Sequence, residues 1–82
     1  MQRHTQIYYQ HFGYGMDDFV PCERCRQRAV DVHHIQGRGK SMDVIENLMA
    51  LCRDCHVYAH SGNHKRELQE AHNLFLIDHD RD

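Results

Sequence analysis

Two CxxC pairs, Cys22 with Cys25 and Cys52 with Cys55, account for all four cysteines of this 82-residue chain. Two residues between cysteines suit a knuckle turn in which both thiolates reach one ion. Two such knuckles complete the tetrahedral shell of a closed structural Zn²⁺ site. The competing readings are a disulfide framework and a thioredoxin-like redox pair. The second would need a surrounding βαβ pattern that the chain lacks. A chain of this length builds one domain and buries only part of its surface. With no Trp, three Phe and four Tyr, its apolar core is thin and in need of a staple.

The first residues, MQRHTQIYYQHFGYG, lack the apolar run of a translocation signal, and no stretch approaches membrane-spanning length. The expected setting is reducing and cytoplasmic, where thiolates are favoured over disulfides. Formal net charge is −2, so bulk basicity cannot be what holds a polyanion. Between Cys22 and Lys40, however, Arg24, Arg26, Arg28, Arg38 and Lys40 stand against Glu23 and Asp31, a local excess of three positive charges. That segment could meet phosphates or could be an ordinary solvated surface.

One domain is expected over residues 1–82, in three parts. Residues 1–20 form a helix and loop extension, with a helix near residues 6–11 and a helical turn at MDDF before Pro21. Residues 21–62 form the zinc-supported core. There RAVDVHHI, rich in β-branched residues, predicts one strand of a hairpin that begins near the first cysteines. QGRGKSMD predicts a flexible connection, DVIENLMALC a turn of helix and then an apolar approach to the second pair, and CHVYAHSG a helix that stops near Gly62. Residues 63–82 predict a helix capped by Asn63 over residues 64–77, with Leu68, Ala71, Phe75 and Leu76 toward the core, and an acidic tail.

Nine histidines are several times ordinary usage, and the cysteines already satisfy one zinc. Successive strand side chains point to opposite faces, so His33 and His34 should have different tasks. His56 and His60, four apart on a helix, share one face and could grip a divalent ion, although exposed histidine pairs also occur without one. Asn47 by itself reads as a cap or turn residue.

Taken in order, CERC, DVHHI, ENLMALCRDCH and the later His60 closely resemble the HNH endonuclease family, in the branch whose two CxxC knuckles hold zinc around a ββα-metal (His-Me finger) motif. The resemblance spans residues 21–60 and implies a small α+β fold. It implies that His34 is the general base and that Asn47 orients the loop and the base. His33 and His56 are then ligands of one catalytic divalent metal, Mg²⁺, Mn²⁺, Ni²⁺ or Zn²⁺, and His60 matches a further ligand position used in some branches. The implied reaction is hydrolysis of DNA to 5′-phosphate and 3′-hydroxyl ends, with Arg24, Arg26, Arg28, Arg38 and Lys40 as candidate DNA contacts. Small members of this kind resemble those of bacteria and bacteriophages, where a targeting or packaging protein can be a partner. Many relatives carry Pro shortly after the HH pair, whereas this chain continues Gln36-Gly37-Arg38-Gly39. His4, His11, His64, His72 and His79 match no family position and are expected to be surface or core residues. The alternative function is a non-catalytic zinc-knuckle module that binds nucleic acid or protein. It leaves the HH, Asn and CH pattern unexplained.

Overall fold

A computed structural model describes residues 2–39 and 41–80. Helix α1 (Arg3–Phe12) leads through a long loop to strand β1 (Asp31–His34). A 3₁₀ turn (Ile45–Asn47) then enters strand β2 (Leu48–Leu51), followed by helix α2 (Arg53–His60) and helix α3 (Lys65–Asp80). The strands pair antiparallel, with Asp31 opposite Leu51, Val32 opposite Ala50, His33 opposite Met49 and His34 opposite Leu48. Among the described residues no helix is long and apolar enough to cross a membrane.

All four residues of β2 are fully buried. Because side chains alternate along a strand, Met49 and Leu51 join one apolar cluster while Leu48 and Ala50 join another. The first cluster contains Cys22, Ile35, Cys52, Cys55 and Leu68, so the cysteine site is part of the core. The second packs Tyr8 and Val20 under α1, which ends where Gly13 takes φ 72° and its N–H returns to the carbonyls of Tyr9 and Gln10.

Several elements differ from the sequence reading. The segment DVIENLMALC yields a second strand rather than only an apolar approach. A strand buried on both faces shows a continuous apolar run instead of alternation, which hides it from periodicity. RAVDVHHI shortens to Asp31–His34: Val30 N–H makes a last bond to β2 at the Leu51 carbonyl, and before it Ala29 N–H turns to the Val20 carbonyl outside the sheet. A single bridge, Pro21 to Arg28, closes the small hairpin at the first cysteines. MDDF forms a turn held by Asp18 N–H on the Gly15 carbonyl, without a helix. Helix α1 is longer than residues 6–11, and the last helix runs on to Asp80.

In α3, Ala71 is exposed and His72 is buried in its place. The burial step from Leu68 is therefore four residues, not three, and its cause is Glu23. His72 Nδ1 lies 2.6 Å from Glu23 Oε1, and Nε2 lies 2.7 Å from the Ile45 carbonyl. The other Glu23 oxygen accepts from Tyr8 Oη at 2.5 Å and Ala50 N–H at 3.3 Å. Both His72 nitrogens thus face acceptors, which fits an imidazolium paired with a carboxylate. Burial alone would lower the pKa of His72, but the hydrogen bond and charge of Glu23 outweigh it and the value is raised.

The network ties α1, the first knuckle, β2 and α3 together. Removing one partner of such a buried pair costs about 3–5 kcal/mol, and Glu23→Ala is expected to lower the thermal midpoint accordingly. Folded His72 holds its proton more tightly than the unfolded chain's histidine, whose value is 6.5. The pair's contribution is therefore complete below that pH and is lost as pH rises through the raised folded value. The gap in thermal midpoint between wild type and His72→Gln should narrow from pH 6 toward pH 9. A gap that widens with pH contradicts the pairing.

Candidate active site and metal centres

The first knuckle is a tight loop in which Cys22 N–H bonds to the Gln27 carbonyl at 2.6 Å and Arg26 N–H to the Cys22 carbonyl at 2.9 Å, with Arg26 in the left-handed region at φ 72°. The second lies where β2 turns into α2. Cys52 is the N-cap of that helix, and its Sγ accepts the Cys55 N–H at 3.5 Å. All four cysteines are free, and their sulfurs lie within 4.8 Å of one another. A tetrahedral shell with Zn–S near 2.3 Å sets sulfurs roughly 3.8 Å apart, so the four thiols fit zinc. Burial pushes the Cys22 thiol up, but hydrogen bonds from the backbone at Cys52, Cys25 and Arg24 more than offset it and bring it to about 7. Arg24 Nη1 approaches Cys55 Sγ at 3.7 Å, where a positive charge offsets that of thiolates.

A second cluster lies where β1 meets α2. His33 projects from the strand, and His56 and His60 project from one face of the helix. Ring centroids are 5.1 Å (His33 to His56), 5.0 Å (His33 to His60) and 4.8 Å (His56 to His60) apart. One nitrogen from each ring lies within 4.8 Å of the others, and His56 Nε2 is 3.1 Å from His60 Nε2. Nitrogens that share an ion at about 2.0–2.1 Å stand roughly 3 Å apart, so the trio fits a divalent cation. Burial, and then the neighbouring His56 and His60, draw His33 down to about 4, which leaves it a neutral ligand at pH 7. Asp31 Oδ2 lies 3.1 Å from His56 Nδ1. With Nδ1–H donating there, the Nε2 lone pair of His56 faces the cluster.

His34 stands outside this trio. Its Nε2 is 2.8 Å from Asp43 Oδ1, and its ring packs 4.5 Å from that of His4 on α1. The hydrogen bond from His34 holds the Asp43 carboxyl below its usual range. His34 nevertheless shares a cleft of about 330 Å³ with His33, His56, His60, His4 and Arg38.

Asn47 is buried beside this cleft and touches none of the clustered imidazoles. Its Oδ1 accepts Gln36 N–H at 2.8 Å, and its Nδ2 donates to the Gly37 and Met42 carbonyls at 3.1 and 3.0 Å. One amide therefore clamps both ends of the loop that carries Arg38, where Gly37 takes φ 115°. Asn47→Ala orphans one backbone donor and two acceptors. The expected cost is about 1–3 kcal/mol, with faster hydrogen exchange at the Gln36 amide. Unchanged Gln36 protection contradicts the clamp.

Of the basic residues singled out from sequence, Arg38 lines the cleft. Arg24 lies 3.9 Å over the Tyr58 ring, Arg26 5.7 Å over Phe75 and Arg28 5.3 Å over Phe19. Lys40 falls outside the described residues. Sequence reasoning missed Asp31, Asp43, Glu23 and the cleft position of His4. Asp31 carried a usable signal, since it precedes His33 by two and so shares its strand face. Asp43 and Glu23 sit in loops, where spacing gives none.

An antiparallel strand pair running directly into a helix, with a four-cysteine cluster at the joint and imidazoles from strand and helix beside it, defines a small α+β protein of the ββα-metal class. The family model described as HNH endonuclease matches residues 22–62, half of the chain, and the protein belongs to that family. Neither curated proteins nor solved structures give a match.

Proposed function

We propose that this protein is a metal-dependent endonuclease that hydrolyses DNA to 5′-phosphate and 3′-hydroxyl ends. One observation carries the reading: three imidazoles converge while a fourth, His34, faces the same cleft apart from them. Four equivalent ligands would suit a closed structural site, whereas three plus a separate base suit hydrolysis. A phosphodiester repels nucleophiles by its own charge, so its hydrolysis needs an activated water and a means of neutralising developing charge. His34 removes the proton from water. His33, His56 and His60 hold the ion, and Arg38 meets a phosphate at the cleft wall. Asn47 keeps the Arg38 loop and the strand end in register. A divalent cation held by His33, His56 and His60 would supply Lewis acidity for the developing charge, while the departing 3′ oxygen takes its proton from solvent water. Mn²⁺, Ni²⁺ and Zn²⁺ suit imidazole better than Mg²⁺ does.

The test is the chemistry of the ends. Supercoiled plasmid nicked by the protein with added Mg²⁺, Mn²⁺ or Ni²⁺ should be resealed by DNA ligase without prior kinase treatment, since ligase requires a 5′-phosphate and a 3′-hydroxyl. Nicks that ligase cannot seal contradict the proposed cleavage.

A further inference from the structure

We infer that Asp43 is a positioning residue for His34, an inference that rests on the nuclease reading above and deepens it. An ionised carboxylate only accepts hydrogen bonds, so the 2.8 Å contact between Asp43 Oδ1 and His34 Nε2 requires the proton to sit on Nε2. In the neutral ring the lone pair is then at Nδ1, and one nitrogen alone is left to take a proton from water. The side chain of His34 is only 7% exposed, so rotation of the ring is confined. Packing of the His4 ring from α1 at an interplanar angle of 54° confines it further.

The carboxylate is itself held. Met42 precedes Asp43 and gives its carbonyl to Asn47 Nδ2 and its N–H to the Gly39 carbonyl. Val44 follows and gives its carbonyl to Asn47 N–H at 2.9 Å. Asp43 is thus fixed on both sides through one residue, Asn47. The order of dependence runs from Asn47 through the backbone at 42 and 44 to Asp43 and on to His34. It explains how a buried amide that touches no clustered imidazole can govern the base. Asp43 is not part of the converging trio, and its hydrogen bond into the cleft residues is the one to His34.

The decisive experiment is ¹H–¹⁵N correlation of the imidazoles in the zinc-loaded protein, which requires no turnover. His34 should show the Nε2–H tautomer in wild type and lose that bias in Asp43→Ala, while Asp43→Asn, which keeps an accepting oxygen, retains part of it. An Nδ1–H ring in wild type, or an unchanged spectrum in Asp43→Ala, overturns the inference. In plasmid cleavage, Asp43→Ala should lower kcat about 10–100-fold with KM within about twofold, and should add no further loss to His34→Ala. An equal loss in both backgrounds, or a change confined to KM, also overturns it. Absence of cleavage by wild type would remove the nuclease reading and leave the tautomer spectrum to decide the role of Asp43.

Discussion

Cys52→Ser is expected to abolish the cooperative thermal transition and the bound zinc together. Three of the four cysteines sit inside the apolar cluster of Ile35, Met49, Leu51 and Leu68, so the metal site and that half of the core are one structure. Cys52 also directly follows β2 and caps α2, which places the helix that carries His56 and His60 under its control. Structural zinc in small domains contributes about 10–16 kcal/mol, against about 5–15 kcal/mol for the whole stability of a typical domain. Serine retains a capping oxygen but is a poor zinc ligand at neutral pH, so the loss is mainly that of the metal. Far-UV circular dichroism during a thermal scan, with zinc measured by elemental analysis, checks this. A variant that melts cooperatively near the wild-type temperature without zinc contradicts the structural role of the site.

His34→Ala should do the opposite: keep zinc, keep the fold and lose cleavage. The ring makes one side-chain hydrogen bond, with Asp43, and packs on His4, which lines the same cleft. Loss of one such bond costs about 1 kcal/mol, a small fraction of the total. Removing a general base lowers rates about 10²–10⁴-fold. Turnover on supercoiled plasmid at saturating divalent ion, measured beside a thermal scan of the same sample, separates the two effects. If His34→Ala unfolds as Cys52→Ser does, the division between a folding centre and a reacting centre is wrong.

The two residue clusters on which that proposed division rests were largely legible in the chain. Cysteine spacing is local and chemically narrow, so the knuckles can be read without knowing the fold. Alternation along a strand likewise separated His33 from His34, and the structure places them with different partners, His56 and His60 for one and Asp43 for the other. The misreadings arose where a residue answers to a distant neighbour. His72 takes the buried place expected for Ala71 because Glu23, 49 positions away, needs a partner. β2 lost its period because clusters cover both of its faces. Arg24, Arg26 and Arg28 read as either phosphate contacts or solvated surface charge; each guanidinium lies over a different aromatic ring, and which ring it meets depends on how α2, α3 and the loop before Pro21 fold back. Asp43 and Asp31 had no assigned role until the folded chain set each against an imidazole.

The most direct measurement is conversion of supercoiled plasmid to nicked circles by folded, zinc-loaded protein, with and without added Mg²⁺, Mn²⁺ or Ni²⁺. The expected result is no conversion in buffer freed of added divalent ions by dialysis, conversion when the divalent ion is supplied, and an unchanged circular dichroism spectrum with one bound zinc in both conditions. Absence of nicking with every ion, from protein that is folded and carries one zinc, would contradict the nuclease reading and leave a zinc-supported binding module in its place.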